Sequence, residues 1–587
     1  MRRLRLKLTA VWPILSKTVA VTGVTLAVNS AFSQFVLTPV PGLPSVSSGS
    51  VAWGDYDGDG RLDFLLSGIE AGTGLPISSI WHNTGNGFSN VTASIAPGLP
   101  GLFDSSVAWG DFDNDGRLDL LITGLTNVTS PIAVSQVWRN TANGFTNVPI
   151  AGLPGVAESS VAWRDFDGDG RLDFLICGTT NGNVSGAITQ LWRNTGNGFT
   201  NVPIPGLAGT SFGSVAWGDF DNDGRPDFLV TGSNLGSQLW RNTGHGFTNV
   251  PIPGLHDVFV SSVAWGDYDN DGLLDFLIEG LSTNGFVGQL WRNTGNGFTN
   301  VLIPGLPGIG DGSLAWADYD HDGHLDFLVT GLSNGVTHIS QLWRNTGNGF
   351  TNVPIPALPG NFDNTLAWGD SDNDGRLDFL IAGATPSGPV SQLWQNTLQS
   401  SNSPPGAPTG LAATVSGDTV VLSWDAPGDD HTPAAGLSYN VRIGTTPGAS
   451  DIVSAPALSN GVLLAPQMGS ARNGSVVVHQ LDPGRAYYWS VQAVDSSFAG
   501  SPFAPEQKFN TGLLLINPVR HADGTFEFGF TATPGASFRV LTTTNLSPGL
   551  TNWTTLGALT EISPGNYQFT DNDGTNNPQR FYRVRSP

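Results

Sequence analysis

The chain has 587 residues, 48 of them acidic and 25 basic, for a formal charge of −23. Without a basic stripe, such a chain repels phosphates, which excludes nucleic acid as a partner. The single cysteine, Cys177, excludes an internal disulfide framework.

In chain order, residues 1–33 read as a secretory signal of bacterial type. It has a cationic start (Arg2, Arg3, Arg5, Lys7), an apolar run from Thr18 to Val28, and a small-residue site at Ala31-Phe32-Ser33 before Gln34. The apolar run is too short to span a bilayer, and neither a second apolar segment of spanning length nor a lipidation motif follows. The expected product is secreted or held at the cell surface, without a membrane span in the mature chain.

From Asp55 onward a nine-residue pattern, D-x-D-x-D-G-x-x-D, occurs seven times at spacings of 56, 54, 54, 48, 51 and 52 residues. A period near fifty residues identifies a repeat architecture. The 28 aspartates of these loops carry the charge: after loss of residues 1–33, which include five cations, 20 basic residues face 20 acids outside the pattern. Carboxylates at alternate positions all turn inward when a chain curls around a hard cation, and the glycine permits the turn.

By analogy with calcium loops, each copy supplies four aspartate side chains and the backbone carbonyl of its seventh residue, for up to seven structural Ca2+ ions. The sets are Asp55, Asp57, Asp59, Arg61 and Asp63; Asp111, Asp113, Asp115, Arg117 and Asp119; and Asp165, Asp167, Asp169, Arg171 and Asp173. They continue with Asp219, Asp221, Asp223, Arg225 and Asp227, then Asp267, Asp269, Asp271, Leu273 and Asp275. The last two are Asp318, Asp320, Asp322, His324 and Asp326, and Asp370, Asp372, Asp374, Arg376 and Asp378. The seventh residue varies, as expected if only its carbonyl matters. The loop departs from an EF-hand, because Leu66 rather than a bidentate Glu stands at the twelfth position. Zinc is disfavoured because its usual Cys and His ligands are absent, and the pair His321 and His324 reads as incidental.

Around the loops the pattern is all-β. Val, Trp, Phe, Leu and Ile alternate between Asn-Gly and Gly-x-Gly turns, giving four strands per repeat and almost no helix. Two tryptophan columns, Trp53 to Trp368 and Trp81 to Trp394, read as packing between sheets. The last repeat stops at Thr397 without its Gly-Phe-Thr-Asn-Val strand, whereas the segment Phe35 to Leu43 matches Phe247 to Leu255. The N-terminal segment is therefore expected to supply the missing strand and close a seven-bladed β-propeller, leaving no long unpaired edge. These residues, Phe112-Asp113-Asn114-Asp115-Gly116 among them, resemble the FG-GAP or VCBS repeats found also in the propeller of integrin α subunits, over residues 34–398.

Residues 399–406, with Ser400-Ser401-Asn402-Ser403-Pro404-Pro405-Gly406, read as a linker. Residues 407–512 resemble a fibronectin type III sandwich, with Trp424 in the core and Tyr487 as its tyrosine corner. No Arg-Gly-Asp is present, so an integrin-binding motif is not carried over. Residues 513–587 read as a small C-terminal β-domain, and Asp571-Asn572-Asp573-Gly574 within it as a plain turn.

The acidic loops and the N-T-G-N-G turns fall on one face of such a ring and are nearly uniform, while loops on the other face vary. Uniform loops suit structure and variable loops recognition. The candidates on the variable face are Phe103, Asp104, Phe212, His256, Phe259, Glu279, Phe286, His338, Phe362 and Asp363. The expected function is calcium-stabilised adhesion or recognition of a polysaccharide or a surface or matrix protein, with no catalytic residues assigned. The sandwich modules would act as spacers or additional contacts. The alternatives are an envelope or matrix scaffold and a polysaccharide-active enzyme.

Overall fold

A computed structural model describes residues 34–585 except 183, 235, 513–515, 533–534, 536, 546–552 and 573–578. The expected signal, and part of the turn at 571–574, lie outside the described residues. Strands dominate, with one four-residue helix, Thr92–Ile95, and one 3-10 turn, Val184–Gly186, among the described residues.

Each repeat folds as an antiparallel meander. In the third, Ala157–Arg164, Asp173–Thr179, Ala187–Asn194 and Phe199–Val202 pair in chain order. The acidic loop joins strands one and two, and the N-T-G-N-G turn joins three and four. The second strand is buried on both faces through Phe174, Leu175 and Ile176, which explains its continuous apolar run. The fourth is largely open to solvent, with Phe199 buried and Thr200 and Asn201 exposed.

Both tryptophan columns pack on the second-strand phenylalanine. Trp192 stacks on Phe174 at 6.2 Å and 8°, and Trp163 meets it edge-on at 5.4 Å. The first column also ties repeat to repeat through its indole N–H, as from Trp217 to the Ala162 carbonyl at 3.2 Å. Trp53 makes the same bond at 3.1 Å to Ala367, so the first repeat meets the last as neighbours meet elsewhere.

The N-terminal strand Phe35–Thr38 pairs with Gly388–Asn396, with Phe35 opposite Asn396 and Thr38 opposite Leu393. This is the position left open by the shortened last repeat. Phe35 is buried and lies 5.7 Å from Tyr319, 6.0 Å from Trp368 and 5.1 Å from Phe379, centroid to centroid.

First strands of successive repeats lie against one another, and each carries one left-handed residue near its start. These are Ser48, Asp104, Glu158, Phe212, Val260, Asp311 and Asp363, with φ between +45° and +56°. In five repeats the strand register breaks there, the mark of a β-bulge that re-aims a side chain.

Downstream, two three-stranded sheets form a sandwich, Thr409–Ser416, Thr419–Asp425 and Ser475–Val478 against Ser438–Gly444, Ala486–Val494 and Gln507–Asn510. Trp424, Tyr439 and Trp489 fill its core. The buried Tyr487 hydroxyl accepts the Asp482 N–H at 2.8 Å, which makes it a tyrosine corner. Tyr487→Phe leaves that N–H without its acceptor and is predicted to cost about 1–3 kcal/mol. Urea unfolding of the sandwich is the measurement, and an unchanged midpoint would remove the role. The last two sheets, of four and three strands, enclose Phe530, Phe538 and Tyr567.

Candidate metal centres

Each acidic loop is a tight turn held by its own first aspartate. Asp55 Oδ1 accepts the backbone N–H of Gly58 at 2.8 Å and of Asp59 at 3.1 Å, and Oδ2 that of Gly60 at 2.8 Å. Gly60 has φ +85°, a conformation that other residues rarely adopt. The ninth position, Asp63, opens the second strand and is fully buried. It accepts the Asn83 N–H at 2.7 Å and the Tyr56 N–H at 3.2 Å. Asp173 repeats the arrangement with Asn194 at 2.7 Å and Phe166 at 3.1 Å.

The aspartates converge as the spacing requires. Carboxylate oxygens of Asp55, Asp57 and Asp59 lie within 4.8 Å of one another, and so do those of Asp111, Asp113 and Asp115, of Asp165, Asp167 and Asp173, and of Asp219, Asp221 and Asp227. In five repeats the third loop position, Asp113, Asp167, Asp221, Asp269 or Asp320, has a buried Oδ1 with no hydrogen-bond partner among the described residues. A buried oxygen without a donor is costly. An oxygen-binding hard cation would complete each of these clusters, so the residues present fit calcium.

Electrostatics point the same way. Burial, followed by repulsion from Asp57 and Asp55, pushes the Asp63 carboxyl up to about 8. Burial likewise raises Asp119, Asp227 and Asp275 to about 8 and Asp173 to about 9. First-position acids such as Asp55, Asp219 and Asp370 rise to about 6, again chiefly through burial. A cation at the centre of each cluster would offset this repulsion.

Three side-chain columns make contacts at these loops that the aspartate spacing alone does not give. The seventh residue contributes more than a carbonyl: Arg61, Arg117, Arg171, Arg225 and Arg376 each pair through the guanidinium with the aspartate two positions earlier. The Arg of the Trp-Arg-Asn triplet reaches the same loops from the third strand, as Arg193 does to Asp167 at 2.6 Å and Arg292 to Asp271 at 2.9 Å. In the first repeat His82 takes that place, 3.2 Å from Asp63 and 3.4 Å from Asp57. The following Asn ties each loop to its neighbour: Asn242 Nδ2 donates to the Phe166 carbonyl at 2.8 Å, and Asn83 to that of Ser371 at 2.9 Å. The recurrence of Trp-Arg-Asn in five repeats was the available signal.

The fibronectin-type sandwich rests on this loop face. The Asp55 N–H donates to the Leu464 carbonyl at 2.7 Å, and the His479 N–H to that of Gly168 at 2.7 Å. Ser496 donates to Asp318 Oδ2 at 2.9 Å, Arg472 lies 3.4 Å from Asp267, and Asn114 Nδ2 donates to the Ile452 carbonyl at 2.9 Å. His321, read as incidental, is buried here with its Nδ1 3.0 Å from Ser497 Oγ, and burial lowers it to about 4. Arg164, where five other repeats have Gly and one has Ala, donates to the Ser470 carbonyl.

On the opposite side the expected recognition residues divide. Phe259 is 38% exposed, and His338 stacks on Phe362 at 4.5 Å. Phe103 and Glu279 are buried, so neither belongs to an open surface. Asp104, Phe212 and Asp363 occupy the left-handed positions of the first strands.

Two family models match the chain. The family model for FG-GAP-like repeats matches residues 72–122, 165–230 and 219–278, and the fibronectin type III domain model matches 406–508. The chain thus carries FG-GAP-like repeats followed by a fibronectin type III domain. No curated protein matches it. Among solved structures it is similar to a fungal lectin of Aleuria aurantia described as a six-bladed β-propeller with a fucose recognition mode, at 7% identity over 53% of this chain and 97% of that one, TM-score 0.30. It is similar also to AofleA from Arthrobotrys oligospora (14%, 54% and 89%, TM-score 0.29) and to a chain of the mitotic checkpoint complex (14%, 68% and 99%, TM-score 0.39). The matched families are repeat and fibronectin-type modules rather than enzyme families.

Proposed function

We propose that the chain is a secreted recognition protein built on a seven-bladed, calcium-stabilised β-propeller that binds a polysaccharide or a surface or matrix protein through its variable face. The observation that carries this reading is the position of the fibronectin-type sandwich. It spends the uniform, acid-rich face on an intramolecular contact, with hydrogen bonds to the loops at Asp55, Asn114, Gly168 and Asp318. The residues that differ between repeats, Phe259 and the His338–Phe362 stack among them, lie at the other ends of the strands. Aromatic side chains on varied loops are the usual anchors of recognition surfaces. Calcium in this reading is structural, holding seven loops whose carboxylates otherwise repel.

The test is binding of the chain expressed from Gln34 to a broad panel of polysaccharides and matrix proteins, in calcium and in chelator. The expected result is a saturable, calcium-dependent hit that weakens at least tenfold in Phe259→Ala and His338→Ala, about 1.4 kcal/mol each or more. A hit untouched by both substitutions would place recognition elsewhere. Release of products from a polymer would replace recognition by catalysis, and calcium-dependent self-association without ligand would favour a scaffold.

A further inference from the structure

One sandwich reaches five of the seven acidic loops by polar contacts, and the linker before it reaches a sixth. At the first three loops the groups engaged are the Asp55 N–H, the Asn114 side-chain amide and the Gly168 carbonyl. At the fifth, Arg472 lies 3.4 Å from Asp267. At the sixth, Ser496 donates to Asp318 Oδ2 and Ser497 Oγ to the Asp318 carbonyl, both at 2.9 Å. The Asn402 N–H of the linker donates to the Gly375 carbonyl of the seventh at 2.8 Å. Asp267 and Asp318 are first-position acids of the candidate metal centres, so the interface and the centres share side chains.

Charge works against this contact. The 28 loop aspartates are paired with ten arginines of the ring, which leaves 18 negative charges in excess. The sandwich brings more of the same sign, since residues 407–512 hold eight acids against four lysines and arginines. Its Asp451 and Asp482 line the same cleft as Asp113 and Asp169 of the loops. Among the described residues, Arg472 is the only sandwich cation paired with a loop aspartate. Such short separations lie inside the Debye length of about 8 Å at physiological ionic strength, so salt screens little of the repulsion. Divalent ions in all seven loops would supply 14 of the 18 positive charges that the face lacks.

We propose that calcium in the loops governs the docking of the fibronectin-type sandwich. The sandwich rests on the loop face while the loops are loaded and leaves it, pivoting at residues 399–406, when they are emptied. This coupling rests on the calcium reading of the loops and adds a moving part to it. By linkage, the docked sandwich raises the calcium affinity of the loops by the same factor.

Hydrogen exchange of the chain expressed from Gln34, in calcium and in chelator, tests the coupling. The His479 N–H, bonded to the Gly168 carbonyl, and the Ser454 N–H, bonded to Asn114 Oδ1 at 3.3 Å, report docking from the sandwich side. The amides of Gly60 and Gly116, bonded at 2.8 Å to Asp55 and Asp111, report the loops, and the strand Ala486–Val494 reports the fold of the sandwich. Chelation is expected to speed exchange at His479 and Ser454 roughly tenfold or more while Ala486–Val494 stays protected. Asp451→Asn with Asp482→Asn, both at exposed positions, should shrink that increase by removing two of the facing charges. An undiminished increase in this variant overturns the electrostatic coupling. Faster exchange at Gly60 and Gly116 without a change at His479 and Ser454 leaves calcium in the loops but overturns its control of docking. No change at any of these amides overturns both. Loss of protection along Ala486–Val494 in step with His479 would mean that calcium keeps the sandwich folded rather than docked, which also overturns the coupling.

Discussion

Chelation should lower the melting midpoint of the repeat region by about 13 °C. At calcium tenfold above Kd each occupied loop contributes about 1.4 kcal/mol, so seven contribute about 10 kcal/mol. Unfolding entropy of roughly 2.1 cal/mol/K per residue gives ~0.8 kcal/mol/K for the 365 residues from 34 to 398. The loss is large because the clusters are built for positive charge: Oδ1 of Asp113, Asp167 and Asp221 is buried without a donor, and the guanidinium groups of Arg193 and Arg292 neutralise only part of each loop. Calorimetry in calcium and in chelator reads the shift, and equal midpoints would remove structural calcium from the proposal.

The same experiment has a pH signature. Burial holds the folded-state pKa of Asp63, Asp119, Asp227 and Asp275 at about 8 in the absence of an ion, against an ordinary value near 3.8. The folded state then binds more protons than the unfolded state between these values, so stability falls as pH rises. The cost of ionising these acids is fully present above about pH 8 and fades as pH drops towards 4. In chelator the midpoint should therefore rise on going from pH 8 to pH 6. In calcium the ion takes the place of the protons, and the rise should vanish or reverse.

Much of this molecule was legible in the sequence because its information is repeated. The alternation around Trp217 and Trp240 gave the strands, the aspartate spacing gave the convergence at the loops, and the missing strand after Thr397 pointed to Phe35. What escaped was of two kinds. The Arg and Asn of Trp-Arg-Asn recur as regularly as the aspartates, but their targets lie across a turn or in the preceding repeat, as with Asn242 and Phe166. A spacing argument along one strand does not reach them. The sandwich contacts were harder still, because Leu464, His479, Arg472 and Ser496 are scattered along about thirty residues with no shared pattern, and each meets a different loop. Glu279, one of the residues expected on the variable face, is buried instead. Periodicity alone does not signal that burial.

The N-terminal strand is where a small change should have the widest consequence. Phe35 is 1% exposed and touches Tyr319, Trp368 and Phe379, aromatic side chains of the sixth and seventh repeats. Truncating it to alanine removes a buried aromatic ring whose loss typically costs about 3–5 kcal/mol. At ~0.8 kcal/mol/K that is a fall of about 4–6 °C. Deletion of residues 34–38 goes further, because it also uncovers the edge of Gly388–Asn396 that now pairs with Phe35–Thr38. An open strand edge is a template for another chain, so the deleted protein should associate with itself as concentration rises, whereas Phe35→Ala, which keeps the backbone pairs, should stay monodisperse. Thermal melts with light scattering separate the two effects. A deletion that neither melts lower nor associates would mean that the strand is an ornament on a ring closed by the other contacts of the first repeat with the last, such as Trp53 with Ala367 and Asn83 with Ser371, and that the last repeat is stable with three strands.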